Sequence, residues 1–566
     1  MLKHLLYSQD NVKLIISLAF FIWFIILLIV HKKVSDNPAK AKVWKCLCLI
    51  PLAAAIIHFF AFSFGDAVLP LLEEYGYIYA SAVLTALFPL IFMKKSKKPV
   101  IIIGAAVIGM VCLVSLFCSI DSPVSVNYSN KDLKSAYISL CDYFEENYIM
   151  NEWKKPDYEK IKADGLKLID EAEKTGDITK YYEAVDEFTK SFYDGHIGIS
   201  FYDGNNYLIT RIKQFNDYGL SLITLDDGTT IAVDVEDGLG IKNGDTVTKW
   251  NGVPIDKAVE SVQAPIPEPV AENDRVDKAL WLACTGGESV EVSYINSDNE
   301  EKTLTLDKLD SELPRALKAR RLFWHNTDEA YSYKMLNGNT GYLKISVEET
   351  DRFHDYLAYL TGNHKYAREM FRNDLRELKN QGMTKLVVDI RNNGGGYDEV
   401  ATAFVSLFTK EKMYAYSLGI RKDKEYIKTA DRYVSADGEF SDIEILVLTN
   451  MRCASAGDGM VLYLSRLDNV TVAGLSCPAG CNQESGGSLF MPKGVVVNFP
   501  VGLTLDEEAN PNIDVDYSRQ SRTTLDVKIP LTKEAALEIF NEENFDNGKD
   551  YELEWATDYF ETRAER

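Results

Sequence analysis

Histidine is scarce in this chain, 7 in 566 residues. Only His196, His325, His354 and His364 lie beyond residue 120, so any imidazole base in that part must be one of these. No group of Cys and His has the spacing of zinc ligands, and neither a metal nor a cofactor is expected. Cysteine is limited as well. Cys141, Cys284, Cys453, Cys477 and Cys481 are the ones after residue 120, and an odd number excludes a fully paired disulfide framework in a monomer. Cys477 and Cys481 are close enough in sequence for a bridge across a short loop, which spacing alone does not establish. Positive charge is missing where it would matter for nucleic acid. Residues 1–120 hold 11 Lys against 5 Asp and Glu, which leaves −29 of the net −23 on the remainder. Phosphate binding needs the opposite sign.

Charge is also missing from four runs in the first fifth of the chain. Val12 to Val30 has only Lys13 and Val43 to Phe64 only Lys45, and Tyr77 to Met93 and Val100 to Ile120 follow with none. Each approaches the length needed to cross a bilayer, so an all-α transmembrane bundle of four helices is expected over 1–120. Lysines crowd the first and third connections (Lys32, Lys33, Lys40, Lys42; Lys94, Lys95, Lys97, Lys98), while the second holds Asp66, Glu73 and Glu74. By the positive-inside rule this implies a multi-pass cell-membrane protein, with the N-terminus and everything after Ile120 outside the cytoplasm and the lipid bilayer as a partner.

At 566 residues several folding units are expected. Over 121–205 apolar residues recur at helical steps: Leu133, Tyr137, Leu140, Phe144, then Tyr181, Val185, Phe188 and Phe192. This helical unit ends in Tyr193-Asp194-Gly195-His196-Ile197-Gly198-Ile199, where a strand begins. Residues 206–310 turn to short alternating strands separated by Gly and Asp turns. They contain Gly240-Ile241-Lys242-Asn243-Gly244-Asp245 and Asn251-Gly252-Val253-Pro254-Ile255, and a Pro-rich insert at Ala264–Pro269. Residues 330–530 alternate strands with helices, the mark of an α/β core. Lys385 to Ile390 is a buried-strand run that leads into Arg391-Asn392-Asn393-Gly394-Gly395-Gly396. The triplet lacks the spacing of a nucleotide loop, and its N–H groups suit an oxyanion instead. Residues 531–566 are helical and acidic.

The stretch Asn450-Met451-Arg452-Cys453-Ala454-Ser455-Ala456-Gly457-Asp458 follows the strand-like Ile443 to Thr449 and precedes a helical pattern. A serine among small residues at a sharp strand-to-helix turn is how a nucleophile is displayed, with the amides of the helix start facing what it attacks. The same pattern also describes a Ser/Gly turn that caps a helix.

Taken together, YDGHIGI at 193–199, GYLKIS at 341–346, LVVDIRNNGGG at 386–396, LVLTNMRCASAGD at 446–458, VTVAG at 470–474 and NPNIDV at 510–515 resemble the S41 family of serine peptidases, the C-terminal-processing and tricorn-core group. The run at 240–255 resembles PDZ domains, which take an extended peptide as an added strand. The resemblance implies an α/β peptidase core of ClpP/crotonase type, Ser455 as nucleophile, and backbone donors at Gly395 and Ala456. One branch of the family activates its serine with a lysine about 25 residues later. The corresponding loop here, Pro478 to Gln483, has none. The other branch uses a histidine, which falls on His196, a serine before it, replaced here by Gly195, and a late glutamate, for which Glu508 (or Glu507) is nearest. The implied function is a serine endopeptidase acting on extended or unfolded protein segments. A catalytically degenerate peptide-binding sensor is the competing reading, and the missing lysine favours it.

Overall fold

The computed structural model describes residues 125–564 except 202–204, 206, 213, 328, 352–353, 356–357 and 359–363, together with parts of 19–62 and 78–86. Its centre is a six-stranded sheet in the order Val527–Lys528, Val470–Gly474, Glu444–Leu448, Lys385–Asp389, Thr340–Ile345, Tyr331–Asn337. All neighbours pair in parallel except the last two. Parallel strands are buried on both faces, which explains their near-continuous apolar sequence. Because side chains alternate along a strand, Leu386, Val388, Ile445 and Val447 pack with Phe371, Phe404 and Met460 on one face. Val387, Leu446 and Leu448 meet Phe323, Phe540, Ala556 and Phe560 on the other. The acidic helical segment is therefore no loose appendage. Its helices Lys533–Ile539 and Tyr551–Ala564 close the second face of the core sheet.

A second sheet runs Ser125–Asn127, Glu484–Phe490, Val495–Leu505, Met413–Lys422, Glu425–Val434, with Gly198–Phe201 added alongside Val495–Leu505. The helical unit packs on it. Helices Leu133–Asn147, Tyr158–Thr175 and Ile178–Lys190 each start at an aspartate, Asp132, Asp157 and Asp177, whose carboxylate accepts a backbone N–H of the first turn. Their apolar faces bring Phe144, Phe188 and Phe192 against Phe499 and Val497. The third sheet, from Ser221–Thr224 to Glu301–Asp307, pairs its strands antiparallel. Its edge strand Ser221–Thr224 is wholly buried, and Ile223 packs with Leu280 of helix Ala271–Leu282.

The expected transmembrane bundle requires correction. Among the described residues no helix is long and apolar enough to cross a membrane. Neither the four-helix bundle nor the multi-pass membrane placement is retained. The run Val43 to Phe64 divides at Leu49 into Pro38–Cys48 and Ile50–Phe62. Pro51 has no N–H to offer Leu47, whose carbonyl accepts from Trp23 Nε1 at 3.1 Å. The second piece has 13 residues, about 20 Å at helical rise against a hydrocarbon core of roughly 30 Å. Val100 to Ile120 lies outside the described residues, as do most of Val12 to Val30 and of Tyr77 to Met93.

Candidate active site

Strand Glu444–Leu448 and helix Ala456–Ser465 meet at Ser455, which has φ 58° and ψ −128°. A side-chain-bearing residue occupies this region only under constraint from its surroundings. The constraint is visible. Ala454 N–H donates to Asn393 O at 2.8 Å, Ser455 N–H to Cys481 O at 2.7 Å, and Ala479 N–H to Cys453 O at 2.8 Å. The turn is thus stitched to the glycine loop on one side and to the loop 477–483 on the other. Gly395 (φ 97°) lies so close that a Cβ there would stand 2.5 Å from Ser455 Cβ and 3.0 Å from its hydroxyl. Only glycine lets the two backbones approach in this way.

His196 reaches the same point from the end of the helical unit, with Nε2 3.3 Å from Ser455 Oγ. The other histidines are engaged elsewhere: His325 lies 3.4 Å from Asp550 and His354 2.6 Å from Asp351, while His364 precedes helix Lys365–Asn380. Burial lowers the His196 pKa from 6.5, against the opposing pull of Asp194 and Gln483, and Lys154 lowers it further. A neutral imidazole beside a hydroxyl is the form that can take its proton.

The surroundings of the ring were not read from the sequence. Asp194 accepts the His196 backbone N–H at Oδ1 (2.9 Å), Tyr148 O–H at Oδ2 (2.5 Å) and Gln483 Nε2 at Oδ2 (3.3 Å). Its Oδ1 is 3.8 Å from the ring Nδ1, too far for a hydrogen bond. Nδ1 and Gln483 Oε1 are both buried and lack a hydrogen bond among the described residues, yet Gln483 stands near enough to favour the charged ring. Glu507 and Glu508 are exposed on a turn, where Glu508 N–H donates to Asp506 Oδ1 at 3.0 Å. The structure brings Asp194 and Gln483 to the ring, not Glu508. Gly195, which stands where one branch has serine, leaves room for Cys481, whose Sγ would be 2.7 Å from a Cβ there. Cys477 and Cys481 are free thiols.

The loop carrying Gln483 is fixed by Asp458, three residues after the serine. Its Oδ2 accepts from Gly480 N–H at 2.6 Å and Cys481 N–H at 3.0 Å, and its Oδ1 accepts from Thr523 Oγ1 at 2.7 Å. On the opposite side, Glu348 Oε1 accepts from Asn393 Nδ2 at 2.7 Å, and Asn393 Oδ1 accepts the Gly395 N–H at 2.8 Å. The Gly395 amide is thus already committed. Ala456 occupies the first helical position, where a backbone N–H has no acceptor within the helix. A cleft of about 420 Å³ opens beside the site, lined by Gly195, Ile197, Gly394, Arg452 and Ala454, with Pro265 to Pro269 along one wall. Among the described residues no group of acidic, His or Cys side chains could hold a metal ion.

Residues 339–515, which include the glycine loop, Ser455 and Gln483, match the family model described as Peptidase family S41. This segment is a serine-type peptidase domain. Three of the solved structures that the chain is similar to are mature CPAF complexed with lactacystin, the photosystem II D1 C-terminal processing protease and a putative peptidase from Parabacteroides merdae. The first is 12% identical over 74% of this chain and 97% of its own, with a TM-score of 0.48. The second is 14% identical over 73% and 98%, with a TM-score of 0.32. The third is 15% identical over 72% and 92%, with a TM-score of 0.38. No curated protein matches the chain. The S41 match stops short of residues 206–310 and of the N-terminal part.

Proposed function

We propose that the chain is an endopeptidase that cleaves extended protein or peptide segments through an acyl-enzyme on Ser455, with His196 as general base. The observation that carries this reading is the 3.3 Å approach of His196 Nε2 to the hydroxyl of a serine held at φ 58°. His196 takes the hydroxyl proton as Oγ attacks the scissile carbonyl, and returns it to the departing amine. Water then enters by the same route and releases the acid. The Ala456 N–H holds the oxyanion, and the Gly395 N–H joins it on release from Asn393 Oδ1. Gln483, backed by Asp194, takes the orienting place for which Glu508 was the nearest candidate in the sequence.

The PDZ-like unit serves this reading as a wall of the cleft. Strand addition at Ser221–Thr224 would require that buried edge to be uncovered, whereas its insert Pro265–Pro269 already borders the site. Arg519 holds the insert in place, donating to the carbonyls of Glu268 at 2.7 Å and Pro269 at 3.3 Å. A fluorophosphonate probe should label the full chain covalently. Labelling should be lost in Ser455→Ala and slowed by about 100-fold or more in His196→Ala. An unlabelled wild-type chain that also leaves casein intact would instead favour the peptide-binding sensor.

A further inference from the structure

The charges that line the cleft are almost all spoken for. Asp186 pairs with Lys190 at 2.8 Å and also with Arg211, and Lys190 reaches Glu187 at 3.2 Å. Asp194 is held by Tyr148 and Gln483. Glu268 pairs with Arg320 at 3.2 Å, and Arg320 also with Asp277 at 2.7 Å. Arg452 is different. It is exposed, and among the described residues no carboxylate lies within ion-pair distance of its guanidinium. Glu268 and Asp277 feel its charge, yet Arg320 is the cation they contact.

Arg452 is also held in place. Its backbone N–H donates to Asn450 Oδ1 at 3.0 Å, and its guanidinium stands 5.1 Å from the centre of the Trp324 ring, which Arg320 also approaches at 4.4 Å. A cation–π contact with an indole restrains a guanidinium while its N–H groups stay available to a planar anion. Three residues of chain separate it from Ser455, at most about 11 Å of backbone. An extended substrate advances about 3.3 Å per residue, so Arg452 falls within about four substrate residues of the scissile bond.

We propose that Arg452 is a carboxylate anchor of the cleft. It selects peptides that carry a carboxylate within about four residues of the bond to be cut, from either an Asp or Glu side chain or the substrate's own C-terminus. The proposal rests on the peptidase reading for the location of the cleft, but its test does not require turnover.

The test uses full-length protein carrying Ser455→Ala and fluorescence anisotropy with three labelled peptides of one sequence. One has an internal Glu and an amidated end, the second an internal Gln and a free C-terminal carboxylate, and the third an internal Gln and an amidated end. At least one carboxylate peptide should bind about 10- to 100-fold tighter than the uncharged one, and the advantage should shrink with added salt. Which of the two gains identifies the source of the carboxylate. In Arg452→Gln the affinity ratio should fall to about 1, while Arg452→Lys, which keeps the charge without the planar fork, should retain part of it. Three equal affinities, including no binding of any peptide, would overturn the anchor, as would a ratio unmoved by Arg452→Gln. Failure of the unmodified chain to react with the fluorophosphonate would count against the peptidase reading instead.

Discussion

A serine becomes a nucleophile only if its proton has somewhere to go, and the imidazole that receives it must be kept neutral and aimed. Burial supplies the first condition at His196. The acidic limb of the kcat/KM profile for peptide hydrolysis should therefore fall below pH 6.5, the ordinary value for the ring. Gln483 supplies part of the second. Gln483→Ala removes a group that favours the charged ring, so the limb should move to still lower pH and kcat should drop by roughly 100-fold. Gln483→Glu, which sets a carboxylate beside the ring, should move it up. A Gln483→Ala enzyme with an unshifted profile would show that the amide plays no part in tuning the base. Glu348 gives a second titration of opposite kind. Burial pushes its pKa from 4.5 to about 8, and its Oε2 has no hydrogen bond among the described residues. Between those values the unfolded chain gives up this proton while the folded chain keeps it. Glu348 therefore makes the fold less stable as pH rises from 4.5 to about 8. Glu348→Gln can keep the bond from Asn393 without a charge, and thermal unfolding should then show a higher Tm at pH 8 and a flatter dependence on pH.

Among the elements, the loop 477–483 carries the most consequence for its length. It accepts the Ser455 N–H, delivers Gln483 to Asp194, and is tied down by two carboxylates, Asp458 at Gly480 and Cys481 and Asp514 at Asn482. Asp458→Ala strands two buried amides, at about 1–3 kcal/mol for each unsatisfied group, while the Thr523 hydroxyl keeps Ser521 Oγ at 2.8 Å. Denaturant unfolding should show a loss of about 2–6 kcal/mol, together with lost fluorophosphonate labelling. Normal labelling would mean that the loop holds without this tether. The same element shows where reading a sequence stops. The strand-to-helix turn at Ser455 and the glycine triplet are local patterns, and His196 was singled out by the likeness of its DGH segment to the tricorn-like branch. Gln483 was in view only as part of a loop without lysine, since its partner Asp194 is 289 positions away. A polar amide in the loop where one branch keeps its base was the available signal. Arg452 gave no signal, because an unpaired charge is defined by what its neighbours bind. The apolar run at Val43 to Phe64 was misread for a different reason. Composition does not register that Pro51 breaks the hydrogen-bond ladder that a spanning helix needs.

For the molecule as a whole, the buried cluster around Arg391 joins the peptidase core to the C-terminal helices. Arg391 donates to Asp389 Oδ2 at 2.7 Å, Asp550 Oδ2 at 2.6 Å and Glu552 Oε2 at 3.0 Å. The guanidinium holds the Asp550 carboxyl well below its ordinary range. The α/β order of the core was legible from alternating strand and helix patterns. The role of 531–566 was not, since an acidic amphipathic segment reads alike whether it is solvated or seated on a sheet. Asp550→Ala removes one buried partner of a guanidinium and should cost about 3–5 kcal/mol in urea unfolding. A change below about 1 kcal/mol would mean that Asp389 and Glu552 suffice.

The position of Arg391, four residues before Gly395, also makes the glycine loop depend on a remote segment. A chain without residues 531–566 would still contain Ser455, His196 and the glycine loop, but Arg391 would lose Asp550 and Glu552, two of its three carboxylate partners. The same cut would uncover the sheet face that Phe540, Ala556 and Phe560 close. The C-terminal helices thus act as a built-in clamp on chemistry they do not touch.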